Sequence, residues 1–561
     1  MRDADATPTV ADANPRAWLA TLTLILGVLV LRIIYLAWFC PYILVEDEAQ
    51  YWDWARHLSW SYYTKGPGIA WAIFLSRTIF DDSAFAVRLP AALMAAVGAW
   101  AVAGLAFDIT RSRRVGLYAA SAYMLAPVFQ VTALLGTIDG PYCACWALAC
   151  WAAWRALQQR GRWAWLALGA ALGVGFLFKY TILLLVPGLL LFAILRRRGL
   201  ALAPRWPLFA AGGFALAALG LAPVIIWNMQ HDWATVSHLL GHLGARETGH
   251  LSAAIHAPSP PRPSYSPLWT LELVAIQIAF VGPLLILGAA AVVWAWRGRR
   301  TDPHWPGRQF LIACAAPIFI FYLAVSFIAE PEGNWPMAGF VTLITLAAWA
   351  AADAMTDYRV RVAAWLALPK PRPKRGYLRR KPELPGQILW HFALGYGLVA
   401  GIGMLRIDLF ATLPVVGRFV PVGRLEGGAL MANAVQELRT RLQTDAGREP
   451  FVMTMHYGQA AQLAFYLPDR PAVYCASSRT GGRPTQHDFW TDTDLDDPAL
   501  LGRPAVLVGG SPEQWAAVFD RVEPQGLLAG VERKGIVAYL AHGYRGFGTP
   551  KPAAADASER P

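Results

Sequence analysis

Long apolar runs recur along the chain, and they limit what it can fold into more than any other feature. Crossing roughly 30 Å of hydrocarbon takes about 20 apolar residues in a helix. Inside a bilayer every backbone polar group must be satisfied without water, which leaves helices or closed barrels. A barrel would show short segments of alternating polarity, and these continuous runs exclude it. Composition agrees: 56% of the 561 residues are apolar and 15% charged, with mean hydropathy +0.37, whereas soluble domains carry about a quarter charged residues. About eleven spans are expected by hydropathy. They lie near 18–40, 86–107, 115–134, 141–157, 163–178, 181–195, 207–227, 269–296, 309–328, 335–355 and 388–412.

The net charge of +12 could suggest a nucleic-acid partner, but its distribution excludes one. The cations sit in short loops between apolar runs: Arg111, Arg113 and Arg114; Arg160 and Arg162; Arg196 to Arg198 with Arg205; Arg297, Arg299, Arg300 and Arg308; then Lys370 through Lys381. Such loops stay on the cytoplasmic side of a membrane. Their alternation predicts a cytoplasmic N-terminus and an outward C-terminus. The first apolar run has no small-residue cleavage site after it and reads as a retained span. The six cysteines are scattered, and neither a disulfide nor a thiolate metal site is expected.

The expected fold is therefore an all-α polytopic membrane domain over 1–412, followed by a small extracytoplasmic α/β domain over 413–548 and a disordered tail over 549–561. In the α/β part, Phe451–Met455, Ala472–Cys475, Ala505–Val508 and Val537–Leu540 read as strands, with Gly458–Tyr466 and Pro512–Val522 as helices. No internal repeat is visible and no broken midplane helix is expected, which counts against a transporter built from duplicated halves.

Three outer loops hold the chemistry. The first, 41–85, opens with Glu46-Asp47-Glu48 and continues through Tyr51, Trp52, Trp54, Arg56 and His57. A carboxylate held there can act as a general base on a hydroxyl, or simply favour the helix dipole as an exposed N-terminal acid. Tyr62, Tyr63 and Lys65 in a Gly-Pro turn suit a lipid phosphate, or a snorkelling lysine with interfacial tyrosines. Asp139, in the hairpin Gly136–Pro141, is either a site acid at membrane depth or a helix cap before a proline. Lys179-Tyr180 ends another span on the same side, where a cation favours an anionic ligand; Arg32 and Arg88 raise the same question. The second loop, 228–268, carries His231, His238, His242 and His250. His238 and His242 are four apart, a spacing open to a metal ion, but HExxH is missing and an ordinary loop helix is favoured. No Walker A or dinucleotide glycine motif occurs, so an activated donor would arrive already attached to a lipid.

Taken in order, Asp47-Glu48-Ala49 with Tyr51-Trp52, Tyr62–Pro67, Arg88-Leu89-Pro90 and Thr137–Pro141 resemble the bacterial branch of the dolichyl-phosphate-mannose protein mannosyltransferase superfamily. Within it, they resemble the lipid A aminoarabinose and galacturonic acid transferases. Lys179-Tyr180, Trp227–Trp233 with His231, and Asn334-Trp335 are similar to that group's later motifs. The resemblance implies a GT-C fold in a bacterial inner membrane and a polyprenyl-phosphate sugar donor. It also implies an envelope acceptor such as lipid A, and inverting transfer with no cofactor and no metal. Asp47 would be the catalytic residue with Glu48 beside it, and Asp139 a second site acid. Lys65 would contact the donor phosphate, with Tyr62, Tyr63, Arg88, Lys179, Tyr180, His231 and Asn334 as further binding residues. Thr64 and Gly66 stand where aminoarabinose transferases have an acid and a proline, so the sugar stays open. The rival function is a transporter or flippase for a polyprenyl-linked or anionic lipid.

Overall fold

The structure is a computed structural model describing residues 15–158, 161–242, 265–299, 302–368, 383–414, 425, 427–529, 532 and 535–548. His250, the whole Lys370–Lys381 run, the stretch 415–424 after the boundary at 413 and the tail from 549 lie outside the described residues. The chain divides into two compact units that do not follow chain order. One contains 1–40, 65–225 and 264–406; the other contains 41–64, 226–263 and 407–561.

The first unit is helical. Among the described residues six helices are long and apolar enough to cross a membrane: Ala17–Phe39, Ala84–Thr110, Trp206–Gln230, Trp305–Val325, Gly339–Ala367 and Gly386–Leu405. Three shorter apolar helices accompany them: Gly68–Phe80, Ala164–Phe178 and Tyr180–Arg196. The expected span at 269–296 is instead a broken pair, Pro267–Val281 and Pro283–Gly298, bent by 105°. The cause is local. Gly282 takes φ +62 between them, and Pro283 has no amide hydrogen to continue the first helix but suits the start of the second. The expectation of no broken helix is thus corrected. The expected span at 115–134 likewise divides into Arg113–Leu125 and Pro127–Val131, with extended Ala126 between them. That is the conformation a residue before proline prefers.

Without a hydrophobic force between helices in lipid, packing relies on close backbone approach at small residues. Helices 164–178 and 206–230 meet in this way. A Cβ on Gly169 would lie 1.8 Å from the Gly213 carbonyl oxygen, and one on Gly220 would lie 2.3 Å from the Gly173 Cα. The helix Asp139–Leu157 is buried almost throughout, so its Ala, Cys and Trp side chains face protein more than lipid. Two charged groups within the bundle illustrate how such residues are satisfied. Asp108 accepts from the Trp151 indole at 2.7 Å. Arg308 bonds Asp302 and Asp353 between the rings of Trp294 and Trp349.

The second unit centres on a five-stranded sheet of order β2-β1-β3-β5-β4. The strands are β1 (Phe451–Thr454), β2 (Val473–Cys475), β3 (Ala505–Val508), β4 (Phe519–Leu527) and β5 (Val537–Tyr544). β1 runs parallel to β2 and β3, while β5 pairs antiparallel with β3 and β4. Four of these strands were expected; β4 was not. The helix expected through Val522 stops at Ala516, and Phe519–Leu527 becomes an edge strand with a register irregularity between Pro524 and Gly526. Its exposed residues lack the alternation that marks a half-buried strand, and Pro524 demotes it further. Helices Gly427–Ala446 and Tyr457–Tyr466 pack with the sheet, and the first-loop helix Glu46–Arg56 packs on Tyr457–Tyr466.

Candidate active site

The helical unit holds a polar cluster built around Asp139. This residue begins the helix Asp139–Leu157 and is 7% exposed. Its Oδ1 accepts from Lys179 Nζ at 2.9 Å, and its Oδ2 accepts from Asn334 Nδ2 at 2.8 Å. Three separate apolar segments thus deliver one acid, one cation and one amide to a single point. Lys179 follows the end of Ala164–Phe178 and also lies 5.4 Å from the Tyr142 ring centroid. The Tyr142 hydroxyl accepts from Thr181 at 3.2 Å. The reading of Asp139 as a simple helix cap does not fit, because its side chain is spent on Lys179 and Asn334.

Lys65 lies in the same unit, and its turn is held against the end of helix 164–178. A Cβ on Gly66 would sit 2.4 Å from the Leu177 carbonyl oxygen, and one on Gly68 would sit 3.0 Å from the Leu177 carbonyl carbon. Only a glycine lets the backbone come this close, which explains why Gly66 occupies this position. The turn bearing Lys65 therefore rests two residues from Lys179. Arg88 is 2% exposed and donates to Cys40 Sγ at 3.2 Å. Tyr180 starts a short 3₁₀ turn with its ring 4.9 Å from Phe176.

The other unit carries the first-loop helix Glu46–Arg56. Its two candidate acids have different fates. Glu48 is fully buried, and its Oε2 accepts from the Val45 amide at 3.1 Å, so this carboxylate closes the helix start. Asp47 is half-buried and enters no hydrogen bond or ion pair among the described residues. Tyr62 is fully buried and stacked on Trp54 at 4.4 Å; its hydroxyl donates to the Trp54 carbonyl at 2.9 Å. Tyr63, 3% exposed, lies against His238 and Phe489 at ring distances of 4.9 and 5.5 Å. Both tyrosines hold the loop in shape, and His238 is taken up in that packing. His231 stacks on Trp227 at 4.1 Å, with Nδ1 2.8 Å from the Trp227 carbonyl oxygen.

Sequence reasoning missed Tyr142 and Thr181 beside Lys179, and the whole set Gln486, His487, Phe489, Trp490 and Asp492. Nothing local marks these residues, because their meaning comes from what they touch, 39 positions apart for Tyr142 and Thr181 and more than 400 for Gln486 and Asp492.

Comparisons with known proteins follow the same lines. Residues 64–227 match the family described as dolichyl-phosphate-mannose-protein mannosyltransferase. A lipid A galacturonosyltransferase of Rhizobium johnstonii is 28% identical over 337 residues, 58% of this chain and 64% of its own length. An undecaprenyl phosphate-alpha-4-amino-4-deoxy-L-arabinose arabinosyl transferase of Sodalis glossinidius is 33% identical over 142 residues, 24% of this chain and 26% of its own. The chain thus spans less than two thirds of either relative's length. Among solved structures, ArnT from Cupriavidus metallidurans bound to undecaprenyl phosphate superimposes with TM-score 0.59 at 17% identity, covering 94% of this chain and 98% of that one. The family resemblance drawn from the motifs is borne out: residues 64–227 match the dolichyl-phosphate-mannose-protein mannosyltransferase family, and the fold is similar to that of ArnT.

Proposed function

We propose that this protein is an inverting glycosyltransferase of the bacterial inner membrane, moving a sugar from a polyprenyl-phosphate carrier to a hydroxyl of an envelope acceptor such as lipid A. The observation that carries this is the uncommitted carboxylate of Asp47, set at the start of a buried helix whose other candidate acid, Glu48, is already used. The activities for which the relatives are named support the substrate class: a lipid A galacturonosyltransferase and an undecaprenyl-phosphate-aminoarabinose arabinosyl transferase.

The chemistry is one displacement. The acceptor oxygen attacks the anomeric carbon while the bond from that carbon to the phosphate oxygen breaks, and its electron pair leaves on the phosphate. The acceptor proton passes to Asp47 Oδ. A single displacement inverts the anomeric centre. Phosphate is a good leaving group, so the protein chiefly positions the reactants and stabilises negative charge. Lys65 is assigned to the donor phosphate, and the Asp139–Lys179–Asn334 cluster to fixing a second cation. No group in this scheme requires a metal, so transfer should persist in excess chelator; its abolition by EDTA and recovery with a divalent ion would overturn that part.

The decisive test is Asp47→Asn, which keeps shape but cannot take a proton. Loss of a general base costs about 10²–10⁴ in rate, while an exposed helix-start acid is worth only about 0.3–1 kcal/mol of stability. Purified wild type and variant would receive polyprenyl-phosphate sugars and a lipid acceptor, with product followed over time. Wild-type-like turnover by the variant would remove Asp47 as the base. Lipid translocation without turnover by the wild type would favour a transporter. The broken helix at Gly282 gives that rival one structural point, but none of the named relatives is a transporter.

A further inference from the structure

The C-terminal α/β domain has no role in this scheme, yet its contacts within its own unit are concentrated on the first-loop helix and the loop that follows. Five of them are specific. The Tyr466 hydroxyl accepts from the Leu44 amide at 2.7 Å, and Gln462 Nε2 donates to the Leu44 carbonyl at 3.0 Å. Arg56 donates to the Arg470 carbonyl at 2.8 Å. Gln486 Oε1 accepts from the Tyr63 amide at 2.7 Å. His57 Nε2 lies 2.8 Å from Asp492 Oδ2, with its ring stacked on Trp490 at 4.1 Å. Phe489 then reaches the second loop, 5.5 Å from Trp227 and 5.6 Å from His231.

We propose that the segment 486–492 is a positioning clamp for the reaction: through Gln486, Phe489 and Asp492 it holds the C-terminal end of the first-loop helix segment, while Tyr466 and Gln462 hold the N-terminal end, and the two together fix the Asp47 carboxylate. The proposal rests on the transfer reading given above. Leu44 and Gln462 secure the chain just before Asp47, while His57 and Tyr63 secure it just after the helix. A helix of eleven residues is marginal by itself in water, so its geometry depends on what it packs against. Asp492 and Gln486 touch no reacting atom in this scheme; they act through the helix.

The clamp has a pH window. Burial alone would lower the His57 imidazole, but the hydrogen bond it donates to Asp492 and then the nearby charge of Asp53 outweigh it and hold its pKa above the ordinary value. The hydrogen bond to His57 holds Asp492 below the usual carboxylate range. The other charged groups facing the pair are Arg56 on the same helix, and Asp488 and His487 in the clamp. Burial keeps His487 below the ordinary value, so it stays neutral until the medium is acidic. A raised histidine contributes below its free pKa and is lost as pH rises through the folded one; a lowered aspartate contributes above its free pKa and is lost as pH falls through the folded one. The ion pair therefore holds from mildly acidic to near-neutral pH and opens on the basic side when His57 deprotonates.

The test compares wild type, Asp492→Asn and His57→Gln in full-length protein, with Asp496→Asn as control because it breaks an exposed pair with Arg479 in the same region. Amide hydrogen exchange over 46–57 is measured without substrate, and kcat and KM for transfer are measured across pH. Asp492 is about half exposed, so screening limits the effect: Asp492→Asn should speed exchange and lower kcat about five- to ten-fold. Donor KM should stay unchanged. His57→Gln retains a neutral donor and should keep part of kcat while losing the fall on the basic side. Asp496→Asn should match wild type. Unchanged exchange in Asp492→Asn would overturn the clamp, and changed exchange with unchanged kcat would overturn its positioning role. Absence of turnover in the wild type would count against the transfer reading alone, and exchange would then decide the docking by itself.

Discussion

Asp47 and Glu48 are neighbours of the same charge, and one contact separates their roles. Glu48 gives its carboxylate to the Val45 amide in a fully buried position. Glu48→Gln keeps a carbonyl acceptor there and should leave both stability and transfer near wild type. Glu48→Ala strands a buried amide, which costs about 1–3 kcal/mol and should appear as a lower thermal midpoint. Asp139 is the opposite case, an acid whose every partner is charged or polar. Removing it leaves the Lys179 ammonium, 13% exposed, without its counter-ion. Asp139→Ala should destabilise by about 3–5 kcal/mol, and adding Lys179→Met should recover much of that loss. A double variant no more stable than the single one would show that the pair is not coupled. Lys65→Ala should weaken donor binding by about 1.5–3 kcal/mol, the worth of a charge-assisted hydrogen bond; unchanged binding in detergent would return Lys65 to a snorkelling role.

At the scale of elements, glycine placement decides how helices meet and where they stop. Gly169 faces the Gly213 carbonyl at a distance no side chain tolerates, whereas Gly27 in the first helix has nothing within 4 Å of an added Cβ. Gly169→Ala should therefore cost about 1–3 kcal/mol through overpacking, and Gly27→Ala should be neutral or slightly stabilising. Equal melting of the two variants in detergent would discount the 164–178 and 206–230 contact. The broken pair at Gly282 and the split at Ala126 show why counting apolar runs gives too simple a picture. Hydropathy averages over a window and does not register a single positive φ followed by a proline. The edge strand Phe519–Leu527 was misread for a related reason: beyond Phe519 neither of its faces is buried, so no alternation of polarity marks it.

For the whole molecule, the alternation of basic loops predicts that a reporter inserted at Arg197 behaves as cytoplasmic and one fused after residue 548 as external. The reverse result would move every loop carrying a candidate residue to the wrong side. Membrane class and the α/β character of the C-terminal part were legible in the chain, and Asp47, Lys65, Asp139, Lys179 and Asn334 stood out in it as candidates. Each depends on local chemistry or on a short motif: a bilayer demands long apolar helices wherever they fall, and charge at their ends is conspicuous. What the sequence left open was settled by contacts between distant segments. The three-way bond among Asp139, Lys179 and Asn334 joins residues up to 195 positions apart, and His57 meets Asp492 across 435. Such pairings are fixed by the packing of whole helices and a sheet, whose energy is spread over many apolar contacts with no local signature. That packing also assigned Glu48 to a cap, left Asp47 uncommitted, and placed residues 41–64 of the first loop in one compact unit with the C-terminal domain.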